Sequence, residues 1–340
     1  MVCFVRLPPL HPLRAPRLRP YLPAVVVALI VAAAAGLFAG SYTYAVKSPT
    51  PHRVPVAAVG EGTGPFLRTL HQRLGAELVV HRYARRPQAV DAVEAQRVFA
   101  IVRERGDRVD LDLASAAGAS VAELLRSDAR AAARALGADL RVRDLKPLEP
   151  GDPRGLSLFY ITIAAVIVGF LGAVQLAANA PGLRRGERVA CTAAYAALGA
   201  LAIVAAVDWV LDAVRLPLPL SWGILALTMF TSGMVFTMFN ALVGRWAILP
   251  TWVLMVMLGN PSSGGAVSWP LLPSFLGTIG RWLPPGASVN AQHTAVYFGG
   301  DLHPQPYLVL TAWSAACCTL FWTRRPRTAQ DPAGHRPAGP

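Results

Sequence analysis

The sequence predicts a polytopic α-helical membrane protein, with about six transmembrane helices and a small extracytoplasmic α/β domain between helices 1 and 2. Three observations predict it. Hydrophobic residues fill 54% of the 340 positions and charged residues only 15%, the balance of a chain built for lipid. The arginines are placed rather than scattered. Arg6, Arg14, Arg17 and Arg19 precede the first apolar run, Arg184, Arg185 and Arg188 separate two later runs, Arg245 separates two more, and Arg324, Arg325 and Arg327 follow the last. These are the positions that the positive-inside rule assigns to the cytoplasm. Finally, one long stretch, 47–154, is charged and alternating where the rest is apolar. The net charge of +13 therefore reports topology, and its placement argues against a nucleic-acid partner.

Residues 1–20, rich in Arg and Pro, read as a cytoplasmic tail. Residues 21–46 read as the first transmembrane helix. A cleaved signal peptide is the rival reading, given the basic start and the small residues from Gly36 to Ser41. The run is long for such a peptide, and Tyr42 and Tyr44 suit an interfacial aromatic belt, which favours an uncleaved anchor.

Within 47–154, Val54–Val59 reads as a strand, Pro65–Leu74 as a helix, Glu77–Tyr83 as a strand and Gln88–Val98 as a helix. Phe99–Arg103 and Val109–Ala114 read as strands around a Gly106-Asp107 turn. An Ala-rich helix over Val121–Leu136 ends at Gly137, and Ala138–Leu145 alternates as a last strand. About 100 residues suffice for one small core. Ser120, three residues before Glu123, fits a capping box for the Val121 helix. His52, His71 and His81 are too scattered for metal-ligand spacing. The Arg82, Arg85 and Arg86 cluster suits either anionic headgroups or a solvated face.

Residues 155–323 read as a five-helix membrane domain, with spans at Leu156–Pro181, Val189–Val214, Ser221–Val243, a broken fifth from Trp246, and Tyr307–Thr323. Residues 324–340 form a second cytoplasmic tail. An amino terminus inside and six spans put 47–154 and the 260–306 loop outside and both termini in the cytoplasm, at the plasma membrane. On this topology Ser127 and Ser288 are exposed to the outside and Gly186 to the inside. The cysteines (Cys3, Cys191, Cys317, Cys318) fall in a tail or in spans and show neither a disulfide framework nor metal spacing.

The fifth span stops early, at Gly259, and continues as Asn260-Pro261-Ser262-Ser263-Gly264-Gly265, a run that cannot extend a helix. From Trp246 the apolar run falls short of the roughly 20 residues that a spanning helix needs. Leu271, Leu272, Phe275, Leu276, Ile279, Trp282 and Leu283 then recur at three and four, predicting an amphipathic interfacial helix that Pro284-Pro285-Gly286 ends. Two readings fit: a lined cavity or gate, since irregular backbone at membrane depth needs protein or water around it, or a short span with a capping loop on the outer surface. In the gate reading Gly264 and Gly265 supply close backbone approach or positive φ. Asp208 and Asp212, one helical turn apart near the outer end of the third span, are the other pathway candidates, or an acidic pair in outer water. Arg215 lies within pairing reach of Asp212.

No GxxxxGK[ST], GxSxG or HExxH pattern occurs. The sequence therefore offers no catalytic residue, cofactor-binding residue or metal ligand, and an enzyme is not expected.

Pro147-Leu-Glu-Pro-Gly-Asp-Pro-Arg-Gly-Leu-Ser157, Phe159-Tyr160, Gly169-Phe-Leu-Gly-Ala173, Asn260-Pro-Ser-Ser-Gly-Gly265 and Leu283-Pro-Pro-Gly286, in the order one span, outer domain, five spans, resemble ABC-2-type transporter permeases. The similarity points to the phage-infection-protein-like branch, with an actinobacterial composition, and it covers most of residues 45–323. It implies a permease-like subunit of an export system for a hydrophobic or amphipathic compound, working as a homodimer or larger, in contact with membrane lipids and with a separate ATPase subunit. The alternative is a non-transporting envelope protein whose outer domain binds a ligand or partner.

Overall fold

The computed structural model describes residues 21–47, 51–60, 64–75, 77–299 and 303–323. Both tails, with Cys3 and the arginines of 6–19 and 324–327, lie outside the described residues. The chain is mostly helical with one small sheet. Four described helical stretches are long and apolar enough to cross a membrane: Leu22–Ala45, Ser157–Asn179, Arg185–Val210 and Leu220–Leu258. The first falls in α1 (Leu22–Val46), whose part up to Gly40 forms a unit of its own.

The sheet has the order β2-β1-β3-β4-β5, with β1 (Val54–Val59), β2 (Leu78–Tyr83), β3 (Ala100–Arg105), β4 (Arg108–Leu113) and β5 (Asp139–Asp144). Its pairs are parallel except β3–β4, the hairpin at Gly106. Helices α2 (Gly64–Leu74) and α4 (Ala119–Leu136) cover one face: Phe66, Leu70, Leu125 and Ala129 close over Val54, Val56, Val102 and Leu111. Helix α3 (Arg86–Glu94) covers the other face over Ala57 and Ile101. Interior strand β1 is thus buried from both sides, which explains its unbroken apolar run. Where α3 leaves that face open, ion pairs replace apolar packing. Arg86 binds Asp112 at 2.8 Å, and Arg103 binds its cross-strand neighbour Asp110 at 2.7 Å.

Two local expectations change. Helix α3 begins at Arg86, with Pro87 in its first turn, and ends at Glu94 rather than Val98, because Gln96 turns the chain with φ 51°. Ser120 is inside α4, whose cap is Gly118. Its hydroxyl leaves the helix to meet Ser268 instead of closing a capping box.

The helical part is organised around α7 (Leu220–Val243). Helix α5 (Ser157–Asn179) packs along it, with Leu158 and Ile161 near Leu225 and Met229, and Phe170 and Ala173 near Val235 and Met238. Tyr195, on α6 (Arg185–Val204), donates to the Gly169 carbonyl at 2.7 Å, and Ser232 of α7 donates to that of Val166 at 2.6 Å. Small and hydroxyl residues at these contacts let the helix backbones approach closely. The end of α6 is a π-helical turn over Ala205–Val210, so the helix expected as the third span stops four residues before Val214. At one end of the bundle Arg188 donates to Ala180 O and Arg185 to Trp322 O, gathering the ends of α5, α6 and α11 (Pro304–Thr323). The sheet stands at the opposite end.

Beyond Gly244 (φ +62°) the chain turns back through α8 (Ile248–Trp252) and a π-helical stretch to Leu258, with Met255 and Val256 packed among Met234 and Val235. Ile248 to Leu258 spans roughly 17 Å at 1.5 Å per residue, about half a hydrocarbon core. The expected amphipathic helix over 271–283 is broken at Pro273 and Gly280 into a 3-10 turn, α9 (Ser274–Ile279) and another 3-10 turn. Pro284 and Pro285 then open a helix rather than only closing one: α10 (Pro284–Tyr297) uses them in its first turn, where a missing N–H costs nothing.

Candidate functional site

The direction of α10 defines the site. Ser288 contacts Thr228, eight residues inside α7, whereas Gln292 contacts Ser221 at the start of α7. Ser288 therefore sits about 12 Å deep along α7, and α10 begins a turn deeper still and runs antiparallel to α7 towards its start. Pro285 seats against Gly259, and Gly286 against Ser263. The broken segment and α10 meet end to end inside the bundle, and α9 with its flanking turns forms the other arm of a hairpin.

The sheet stands on this hairpin through the starts of β1–β3 and the ends of β4 and β5. The His52 N–H donates to Pro270 O at 2.7 Å. Ser120 Oγ accepts the Ser268 N–H and donates to Ser268 Oγ, both at 2.9 Å. Gln96 Nε2 donates to Thr294 Oγ1 at 2.9 Å, His293 Nδ1 lies 3.3 Å from Ala116 O, and His303 Nε2 lies 2.9 Å from Ala95 O. Lys146 pairs with Glu94 at 2.8 Å and lies over the Phe298 ring. Leu271, from the hairpin, completes the core under α2 and α4.

Between sheet and hairpin runs a cleft of about 1660 Å³. One wall is Arg53, Arg97, Ser120 and Arg154; the other is Gly264, Trp269, Arg281, Trp282 and Asn290. Trp269 is fixed by its indole N–H, which donates to Ser262 O at 3.0 Å. Gly264 has φ +83°, and a Cβ there would sit 2.7 Å from the Trp269 ring. The Arg281 guanidinium lies over that ring, 5.0 Å from its centroid, within cation–π range. Arg281 as a whole is solvent-exposed, yet its guanidinium loses enough water against the wall to lower its pKa from the ordinary arginine value. Burial likewise lowers the pKa of His293, against smaller opposing effects of the Ala116 carbonyl and the Asp152 carboxylate. The neutral imidazole then donates from Nδ1 to that carbonyl.

Asn260, Pro261, Ser262 and Ser263 are buried, and only Ser263, Gly264 and Gly265 of that run reach the cleft. Gly265 stays small because a Cβ would sit 2.7 Å from Phe159. Ser262 and Ser263 donate back to Leu258 O and Asn260 O at 2.6 and 2.7 Å, satisfying part of the broken helix end. The Asn260 carboxamide faces the Tyr42 phenol but completes no well-formed hydrogen bond among the described residues. Asp208 and Asp212 lie elsewhere and outside the cleft lining. Asp208 accepts the Leu216 N–H at 3.3 Å, closing the turn after α6. Asp212 is exposed in that turn with φ 45°, and no ion pair joins it to Arg215 among the described residues.

Sequence reasoning missed the arginine–tryptophan stack, since residues 12 apart become neighbours only through the hairpin. It missed α10 too, although Pro284-Pro285 at a helix start, with no Gly or Pro over 287–298 and polar positions at Ser288 and Gln292, is a readable signal. Ser288, expected to be exposed, is wholly buried. No protein-family model, curated protein or solved structure matches the chain.

Proposed function

We propose that this chain is a permease-like, ABC-2-type subunit of an export system for a hydrophobic or amphipathic compound. In this reading it crosses the plasma membrane six times, through α1, α5, α6, α7, the broken segment and α11, with both termini inside and the sheet outside. The observation that carries the reading is the cleft, which joins a polar outer domain to a hairpin whose tip lies within the bundle. An amphipathic molecule needs such a boundary: polar walls at one end and membrane-level apolar walls at the other. Arg184, Arg185 and Arg188, at the start of α6 and opposite the sheet, support the orientation. The subunit acts as a homodimer or larger and takes its energy from a separate ATPase.

Deleting the gene and measuring export and tolerance over a broad panel of amphipathic compounds tests the reading. Increased sensitivity restored by the intact gene is expected, and unchanged export and tolerance would sink it. A second reading, an envelope protein whose outer domain binds a ligand without transport, is favoured by one feature. Only the short Ala180–Arg184 link joins α5 to α6, leaving little surface for an ATPase. Capture of an ATPase with the intact protein from membranes would decide against that second reading.

A further inference from the structure

Three cationic side chains follow the wall of the cleft in sequence-distant steps. Arg53 is adjacent to His52, whose N–H holds Pro270 O. Pro270 follows Trp269, on whose ring Arg281 lies. The Arg281 carbonyl accepts from Gln305 Nε2 at 3.3 Å, and His303, two residues before, holds Ala95 O, two residues before Arg97. Among the described residues no carboxylate lies within 4 Å of Arg53, Arg97 or Arg281, whereas Arg86, Arg103 and Arg108 each have one and Arg126 has two. Unpaired guanidinium groups at a partly shielded wall favour an anion from outside the chain, and the planar fork suits phosphate oxygens in particular. Beside them stand Leu272, Trp282 and Val289. Trp282 and nearby Phe275 are 61% and 64% exposed, which is the character of side chains at a lipid interface.

We propose that the cleft binds the phosphate headgroup of an anionic amphiphile, received by Arg281 on its Trp269 platform with Arg53 and Arg97, and that the apolar tail leaves past Trp282 and Phe275. The assignment rests on the export reading only for the placement of the sheet outside and the hairpin at the membrane. Binding is measurable without transport.

The test uses the full-length protein in non-ionic detergent, with its melting midpoint followed during titration with dioctanoyl phosphatidylglycerol, dioctanoyl phosphatidylcholine or glycerol phosphate. A ligand that binds only the folded state raises the midpoint with its concentration. Phosphatidylglycerol is expected to raise it at lower concentration than phosphatidylcholine. Arg281→Gln is expected to weaken that response about 10-fold, read as the shift from its own lipid-free midpoint. Arg130→Gln, outside the cleft lining, is expected to keep it. Equal responses to both lipids, a full response in Arg281→Gln, or an equal loss in Arg130→Gln would overturn the site. A response to glycerol phosphate as strong as to the lipid would overturn the amphiphile assignment and leave a soluble phosphate ester as the ligand. Arg281→Gln that loses binding while export continues unchanged would sink the export reading of this cleft and spare the binding site.

Discussion

Ser288 of α10 and Thr228 of α7 share a hydrogen bond of 2.7 Å, and neither side chain reaches solvent. Thr228 Oγ1 also lies 2.7 Å from Ile224 O. A hydroxyl has one hydrogen, so both contacts hold together when Thr228 donates to Ile224 O and accepts from Ser288. Thr231 and Ser314 repeat the pattern between α7 and α11 at 2.7 Å. Thr228→Val and Ser288→Ala are each expected to cost about 1 kcal/mol, and the double variant less than the sum, with coupling of about 0.6 kcal/mol. Denaturation of the four proteins in one detergent measures this, and strict additivity would show that the pair contributes nothing.

Gly280 sits against the Ser262 carbonyl so closely that a Cβ would overlap the oxygen. Gly280→Ala must therefore push the hairpin arm away from the broken span, at about 1–3 kcal/mol. Gly277→Ala is the milder control, since its Cβ would meet the Trp269 carbonyl oxygen at 3.0 Å. A lower folded yield on size exclusion is expected for Gly280→Ala, with Gly277→Ala between it and the parent.

Asp152 anchors the entry to α5. Its two carboxylate oxygens accept the N–H groups of Leu156 and Ser157 at 3.0 and 2.8 Å, donors that the first turn of a helix cannot satisfy itself. Asp152→Ala is expected to destabilise the protein by about 1 kcal/mol, and Asp152→Asn by less. Melting midpoints of the three proteins give the order, and an Ala variant as stable as the parent would remove this role.

His293 gives a pH dependence of defined sign. Its folded pKa lies below the ordinary value, so in the window beneath about 6.5 the unfolded chain binds a proton that the folded one does not. Stability is then complete above that value and falls as pH drops through the window. The groups facing the imidazole are the Ala116 carbonyl, the Asp152 carboxylate and the Tyr297 ring. The melting midpoint is expected to drop between pH 7 and 5, by less in His293→Gln. An equal drop in both proteins would place the effect on other groups.

For topology, a cysteine at Ser127 on the exposed side of α4 is expected to react with an impermeant thiol reagent in intact cells, and one at Gly186 only after lysis. Both positions are exposed, so access is decided by the membrane and not by packing. Labelling at Gly186 from outside would invert or abolish the six-span reading.

The sheet was legible because each strand carries its own local signal: β1 and β4 alternate or run apolar, and Gly106 and Gly137 mark their turns. The four long apolar helices were legible for the same reason, since composition alone marks them. The hairpin was not. Its helix α10 mixes Ser288, Asn290, Gln292 and Thr294 with alanines, and only partners on α7 and in the sheet domain make those polar positions buried ones. The end of α6 misled because Asp208 and Asp212 match a helical spacing that the π-helical turn and the positive φ of Asp212 remove. The run from Asn260 to Gly265 was rightly singled out as irregular, yet half of it is buried beneath the cleft. Substituting Val at Gly264 and Gly265 would collide with Trp269 and Phe159 and report on folding before it reported on a gate.

Helix α10 has its outer residues, His293, Thr294 and Tyr297, fastened to the sheet domain, while its inner end abuts Gly259 and Ser263. In mechanical terms it is a connecting rod about 21 Å long. A helix is stiff along its axis, so a small shift of the domain at one end arrives at the other with little loss. Whatever occupies the cleft can thus be felt halfway down α7 without any movement of α5, α6 or α11.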